Sequence, residues 1–175
     1  MTRIDFYLLP TDSEQKFLET VCLLIEKARR AEQNVYVHTR SAAHADKLDA
    51  ALWQYRPSSF IPHLNLGQGP INTEPLGTHT TSQPVARPIG VAEPLMVGLP
   101  AATDSESHVS IGYCHEPAGR RDVLINLSPE VPVFFSRFRR TLEVVSGSDS
   151  DRSDSRERYR FYKARGYPLN HHNLS

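Results

Sequence analysis

The chain has 175 residues, the length of one domain with a real hydrophobic core. Lys plus Arg and Asp plus Glu each number 20, so the formal net charge is zero and a global electrostatic grip on nucleic acid is not expected. No apolar run approaches the roughly 20 residues that span a bilayer, no leader-like segment precedes the first strand pattern, and Cys22 and Cys114 form neither a CxxC pair nor a disulfide framework; the expectation is a soluble, cytoplasmic protein in a reducing setting.

Ile4 to Leu9 is nearly continuously apolar, the pattern of a strand covered on both faces. Pro10 ends it, and Thr11-Asp12-Ser13-Glu14 supplies a capping pattern for a helix whose stripe is Phe17, Val21, Leu24, Ile25 and Ala28. Cys22 lies beside that stripe and reads as core or boundary. Val35 to Thr39 is a second strand, and Ser41 caps a helix with Ala45, Leu48 and Leu52 inward. Strand, helix, strand, helix predicts right-handed βαβ units and a Rossmann-like, three-layer α/β fold: a mostly parallel central sheet with helices on both faces. The first connection, Leu9-Pro10-Thr11-Asp12-Ser13, has no glycine, so the dinucleotide-binding loop is missing, and no P-loop occurs.

Between Leu52 and His63 the only tryptophan, Trp53, is followed by Tyr55 and Phe60, with Pro57 and two serines forbidding a simple helical continuation. Two readings compete: a lid over the sheet end, or a protein–protein patch, since Trp, Phe and Ile with little charge form interface centres. From Gly67 to Ser107 the chain is dense in Pro and Gly and lacks aromatic residues, which reads as a mobile insertion at about 67–107 in a single domain spanning 1–175.

Val109, Ile111 and Tyr113 then alternate as a strand, Asp122 to Leu127 reads as a buried strand, and Ser128-Pro129-Glu130 as a helix start carrying Phe134, Phe135 and Phe138, with Pro132 delaying the regular helix. Thr141 to Val145 is a last strand, Ser146 to Ser155 a polar linker, and Asp151 or Ser153 the cap of a final helix that Gly166 closes. His171-His172 adjoins a terminus with the look of disorder.

The chemistry of catalysis is not legible. The histidines at 79, 108, 115, 171 and 172 have no companion ligands at metal spacing, neither G-x-S-x-G nor a cysteine-nucleophile signature occurs, and the adjacent Cys114 and His115 point to opposite faces of a strand. No cofactor, metal or catalytic residue is assigned.

Residues 137–165 carry nine Lys or Arg against five Asp or Glu. On a helix, Arg156, Tyr159, Arg160 and Lys163 fall on one stripe, which is either a solvated basic face or a site for a ligand that is anionic at one point and apolar at another.

Several segments carry a resemblance. They are Phe6-Tyr7-Leu8-Leu9, Leu48 to Trp53, Ser59-Phe60-Ile61-Pro62-His63 with the Gly67-x-Gly69-Pro70 turn, Arg121 to Leu127, and Arg156-Glu157-Arg158-Tyr159-Arg160-x-Tyr162-Lys163 running on to Gly166-Tyr167-x-Leu169-Asn170. In order and spacing they resemble the chi subunits of bacterial DNA polymerase III. The resemblance implies a non-catalytic replisome adaptor, tied by the psi subunit to the clamp loader and contacting the acidic C-terminal tail of single-stranded DNA-binding protein, with DNA contact only indirect and no membrane partner.

The family's tail-binding residues carry over onto Arg156, Tyr159 and Arg160, with Lys163 on the same stripe. Its psi-facing residues carry over onto Trp53 and Phe60, to which the apolar neighbours Ile61 and Pro62 are added. The chain departs from the pattern in the insertion and at Phe161, where a smaller residue is usual. The competing readings are direct single-strand binding, with Tyr159 as a stacking ring, and a nucleotide-using enzyme.

Overall fold

The computed structural model describes residues 1–55, 61–66, 109–113, 116–117 and 122–174. Phe60, Cys114, His115, His79, His108 and the stretch read as an insertion at 67–107 lie outside the described residues. The described elements all belong to one unit, formed by Met1–Gly69 with Ser107–Ser175.

The order is β1 (Arg3–Leu8), α1 (Glu14–Arg30), β2 (Val35–His38), α2 (Ala42–Gln54), β3 (His63–Asn65), β4 (Val109–Gly112), β5 (Val123–Asn126), a 3-10 turn (Phe135–Arg137), β6 (Arg140–Val145), α3 (Asp149–Ala164) and β7 (Leu169–Asn173). The strands form one sheet in the order β3-β4-β2-β5-β6-β1-β7. Every pairing is parallel, so the sheet is wholly rather than mostly parallel.

Alternation along each strand splits the core in two. Val35 and Val37, Val123 and Ile125, and Leu142 and Val144 meet α1 and α2 on one face, with Phe17, Val21, Ile25, Leu48 and Leu52. Ile4 and Phe6, Tyr36 and Leu124 meet the other face, which Phe134, Phe135, Phe138 and Tyr162 of α3 close. This is the expected three-layer arrangement. Cys22 is 1% exposed in the first cluster, and burial pushes its thiol up to about 12, an unreactive core thiol.

Four local expectations are corrected. Ser13, not Thr11, caps α1: its Oγ accepts from the Lys16 amide at 3.4 Å, while Thr11 Oγ1 accepts from Ser13 N at 3.2 Å. No α-helix follows Pro129, only the single turn at 135–137. Asn126 and Ser128 draw the chain there into a local knot: Asn126 Oδ1 accepts from Ser128 N at 3.1 Å, and both side chains donate to Glu130 O, at 3.0 and 2.8 Å. Such bonds offer the backbone an alternative to the helix, and Pro132 lacks the amide to resist them.

The polar linker expected at 146–155 is mostly helix, because Ser148 is the cap. Its Oγ accepts from Asp151 N at 3.3 Å, and Asp151 Oδ2 reaches back to Ser146 N at 2.7 Å. Finally, His171-His172 lies not in a loose tail but in β7, paired in register with β1. Leu-Asn-His-His-Asn has no apolar alternation to announce a strand; it forms because β1 offers a free edge and Asp5 anchors it. Asn170 Nδ2 donates to Asp5 Oδ1 at 3.0 Å and His172 Nε2 lies 3.2 Å from the same oxygen.

Candidate functional site

The rotation of α3 about its axis decides what its basic face can do, and a buried polar group fixes that rotation. Arg158 is 3% and Glu143 0% exposed. Arg158 Nε donates to Glu143 Oε2 at 2.8 Å and its Nη1 to Pro129 O at 2.9 Å, while Tyr162 donates to Glu143 Oε1 at 2.6 Å. Asn126 Nδ2 lies 3.1 Å from both carboxylate oxygens. Burial pushes the Glu143 carboxyl above its ordinary value against the pull of Arg158, and burial with the nearby carboxylate pushes the Tyr162 phenol up as well. Every partner of Glu143 is therefore a donor, as a buried carboxylate requires. One arginine of the basic run is thus internal, and the surface charge is carried by the others.

With Arg158 and Tyr162 inward, Arg156, Arg160 and Lys163 are exposed and Tyr159 is half-buried. These four residues and Arg152 form one wall of a cleft of about 670 Å³. The opposite wall is Phe6 and Leu8 of β1 with Leu9 and Pro10 just after it, and β7 and the residue following it contribute His171, Asn173 and Leu174. Val145 and Ser146 close the end. The edge of the Tyr159 ring meets Phe6 at 5.8 Å between centroids, and Lys163 Nζ sits 5.9 Å from the Tyr159 ring centre.

Among the described residues the site is one-signed: no Asp or Glu lines the cleft. Among the described residues Arg152, Arg156 and Lys163 make no ion pair, while Arg160 pairs with the equally exposed Glu157 one turn back, a contact of little energy. Cations above an apolar floor, with no Asp or Glu among the described lining residues, make a receptor for a group that is both anionic and apolar. All four tail-site residues expected from the sequence meet here. The β1 end, His171, Asn173 and Leu174 were not expected, and only the parallel pairing of β7 with β1 brings them in.

The loop into α3 holds the cleft's end by a close approach. Gly147 N donates to Thr11 O at 2.8 Å, and a Cβ on Gly147 would lie 2.5 Å from the Thr11 carbonyl carbon. Only glycine lets the two loops meet. Phe161, the other departure noted above, packs edge-on to Phe135 at 6.0 Å and carries the Arg165 guanidinium 3.6 Å from its ring centre, away from the cleft.

The second expected surface lies at the opposite sheet edge. Trp53 is 60% exposed, with its ring 5.5 Å from His63. The residues after it alternate: Pro62, Leu64 and Leu66 point outward, the two leucines 57% and 40% exposed, while Ile61, His63 and Asn65 turn in. Ile61 is 2% exposed in the core, so its side chain is not part of a surface patch, contrary to its place in the expected psi-binding set. His63 is held by Ile61 O at 2.7 Å and Asp49 Oδ1 at 3.1 Å, which fixes the strand's register and leaves Pro62 and Leu64 beside Trp53. Leu64 and Leu66 were missed, though their period-2 spacing was the signal for them. Phe60 lies outside the described residues.

A family model described as DNA polymerase III chi subunit, HolC, matches residues 1–170. The chain belongs to the DNA polymerase III chi subunit family. Membership places it among the accessory subunits of a DNA replication polymerase. It is 33% identical over 174 residues to DNA polymerase III subunit chi of Pseudomonas aeruginosa, covering 99% of this chain and 98% of the relative. The subunits of the same name from Escherichia coli and Haemophilus influenzae are 26% and 25% identical, each over 97% of this chain and over 97% and 95% of the relative. Among the described residues no helix is long and apolar enough to cross a membrane, and no group of His, Cys, Asp and Glu is placed to hold a metal ion.

Proposed function

We propose that the chain is a non-catalytic adaptor of the replisome, whose cleft between α3 and β1 takes the acidic C-terminal tail of single-stranded DNA-binding protein and whose Trp53 edge meets the psi subunit. The observation that carries the tail reading is the meeting of Arg156, Arg160 and Lys163 with the apolar floor of Phe6, Leu8 and Tyr159 in a cleft with no Asp or Glu among its described lining residues. An acidic peptide ending in an apolar residue places its terminal side chain on the floor and its carboxylates on the cations. Direct stacking of a nucleic-acid base on Tyr159 is the weaker reading, because that ring is already engaged by Phe6, His171 and Lys163. On the second surface the set is Trp53, Pro62 and Leu64, with Phe60 added from the family resemblance and Ile61 removed.

In a half-open cleft each arginine contact is worth roughly 1–1.5 kcal/mol, so Arg156→Ala with Arg160→Ala weakens tail-peptide binding roughly 30- to 150-fold. Titration calorimetry measures this, and co-purification with psi is unchanged. An unchanged tail affinity in the double variant removes the cleft from consideration.

A further inference from the structure

The cleft has two walls, and the cations of α3 explain only one of them. Parallel pairing sets His171 opposite Phe6, and its imidazole stacks on that ring at 5.7 Å with 19° between the planes. It also lies 5.3 Å from the Tyr159 ring. His171 is exposed, lines the cleft, and among the described residues its side chain makes no hydrogen bond or ion pair, so both ring nitrogens are open to a ligand. Its neighbour is the opposite case: His172 points to the other face of the sheet, stacked on Tyr7 at 4.5 Å and committed to Asp5.

We propose that His171 is a ligand-binding residue of this cleft, closing on a carboxylate of the bound peptide from the β7 side, so that peptide binding takes up a proton. This rests on the tail-binding reading of the cleft and adds the regulation of that site. The groups facing His171 can be enumerated. From α3 come Arg152, Arg156, Arg160, Lys163 and the Tyr159 phenol; the β1 wall, Val145 and Ser146 bring no charge, and β7 itself brings Asn173 on this face. A peptide carboxylate set against the ring favours the imidazolium, whose N–H groups then donate to it.

The sign follows. The protonated form is stabilised in the complex relative to the free protein, so affinity rises as pH falls through the range where imidazoles gain a proton. The expected trend is a peptide bound several-fold more tightly at pH 6 than at pH 8. The ligand's aspartates stay ionised over that interval and contribute no such trend.

The test uses the full chain and a synthetic peptide of four aspartates followed by phenylalanine with a free carboxylate. Calorimetry at pH 6 and pH 8, repeated in two buffers of different ionisation enthalpy, gives both affinity and proton uptake. The wild type takes up a proton and shows the several-fold pH trend. His171→Gln binds with the same affinity at both pH values and takes up no proton, His172→Gln keeps the wild-type trend, and His171→Lys, whose charge is permanent, binds at pH 8 as tightly as the wild type at pH 6. A pH trend undiminished in His171→Gln, or weaker binding by His171→Lys at pH 8, overturns the inference. Arg156→Ala with Arg160→Ala, measured at pH 8 alone, separates the two readings. If that variant binds normally, the cleft itself is misassigned; if it binds weakly while His171→Gln retains the pH trend, only the role of His171 falls.

Discussion

Replacing Arg158 by methionine removes a guanidinium that is 3% exposed and leaves Glu143, at 0%, with only the donors Tyr162 and Asn126. Removing one partner of a buried ion pair typically costs about 3–5 kcal/mol, because the remaining charge stays desolvated. For a chain of this length that lowers the melting temperature by roughly 6–20 °C. The loss also depends on pH in a definite direction. Without its cation, the buried Glu143 carboxyl is raised still further above its ordinary value of 4.5. An acid whose folded value exceeds its unfolded one penalises the fold at neutral pH, and the penalty disappears once both states are protonated.

Urea unfolding followed by circular dichroism therefore shows a large deficit near pH 7.5 that shrinks toward pH 4.5. Replacing the pair together, Arg158→Met with Glu143→Leu, recovers only part of the loss, since no desolvated charge remains but the buried Tyr162 hydroxyl and Asn126 amide lose their acceptor. A deficit below about 1 kcal/mol in Arg158→Met, or one that does not change with pH, refutes the view that this pair sets the rotation of α3.

Other substitutions probe the loops, the β7 anchor and the second edge. Gly147→Ala forces a methyl against the Thr11 backbone, costs about 1–3 kcal/mol and lowers tail-peptide affinity by displacing Ser146; chemical denaturation and calorimetry read the two effects separately. Burial pushes the Asp5 carboxyl up, but hydrogen bonds from Arg140, His172 and Asn170 outweigh it and hold the group below its ordinary 3.8. The stabilisation is therefore present above 3.8 and is lost as pH falls through the lower folded value, so the gap between wild type and Asp5→Asn in denaturation midpoint is full near neutrality and closes in acid. Ile61→Ala costs about 2–5 kcal/mol of stability as a core truncation, whereas Leu64→Ala leaves stability nearly unchanged and weakens psi co-purification. The reverse pattern would return Ile61 to the surface set.

Much of the fold was legible because the information was local and periodic. The β1 and α1 stripes, the Ser41 cap and the alternation of strand and helix each follow from side-chain spacing, and the missing glycine loop can be read directly from Leu9 to Ser13. The cation stripe of α3 was legible for the same reason: residues at helical spacing share a face whatever the rest of the chain does. Local bonding misled the reading where two local structures competed, as at Ser128 to Pro132 and at the Ser148 cap.

The sequence by itself determined the α/β class, the absence of a dinucleotide loop, the family resemblance, and which of the α3 cations lie together. Tertiary structure decided the rest. Strand β7 has no apolar pattern and exists because β1 has an unpaired edge and Asp5 a carboxylate to share; with it came His171 and the second wall of the cleft. Arg158 and Arg156 are the same residue type two positions apart, yet one is sealed against Glu143 and the other faces the cleft. Composition cannot tell them apart. The cost of burying an unpaired charge can, and it turns α3 so that only the arginine with a carboxylate beneath it goes inward.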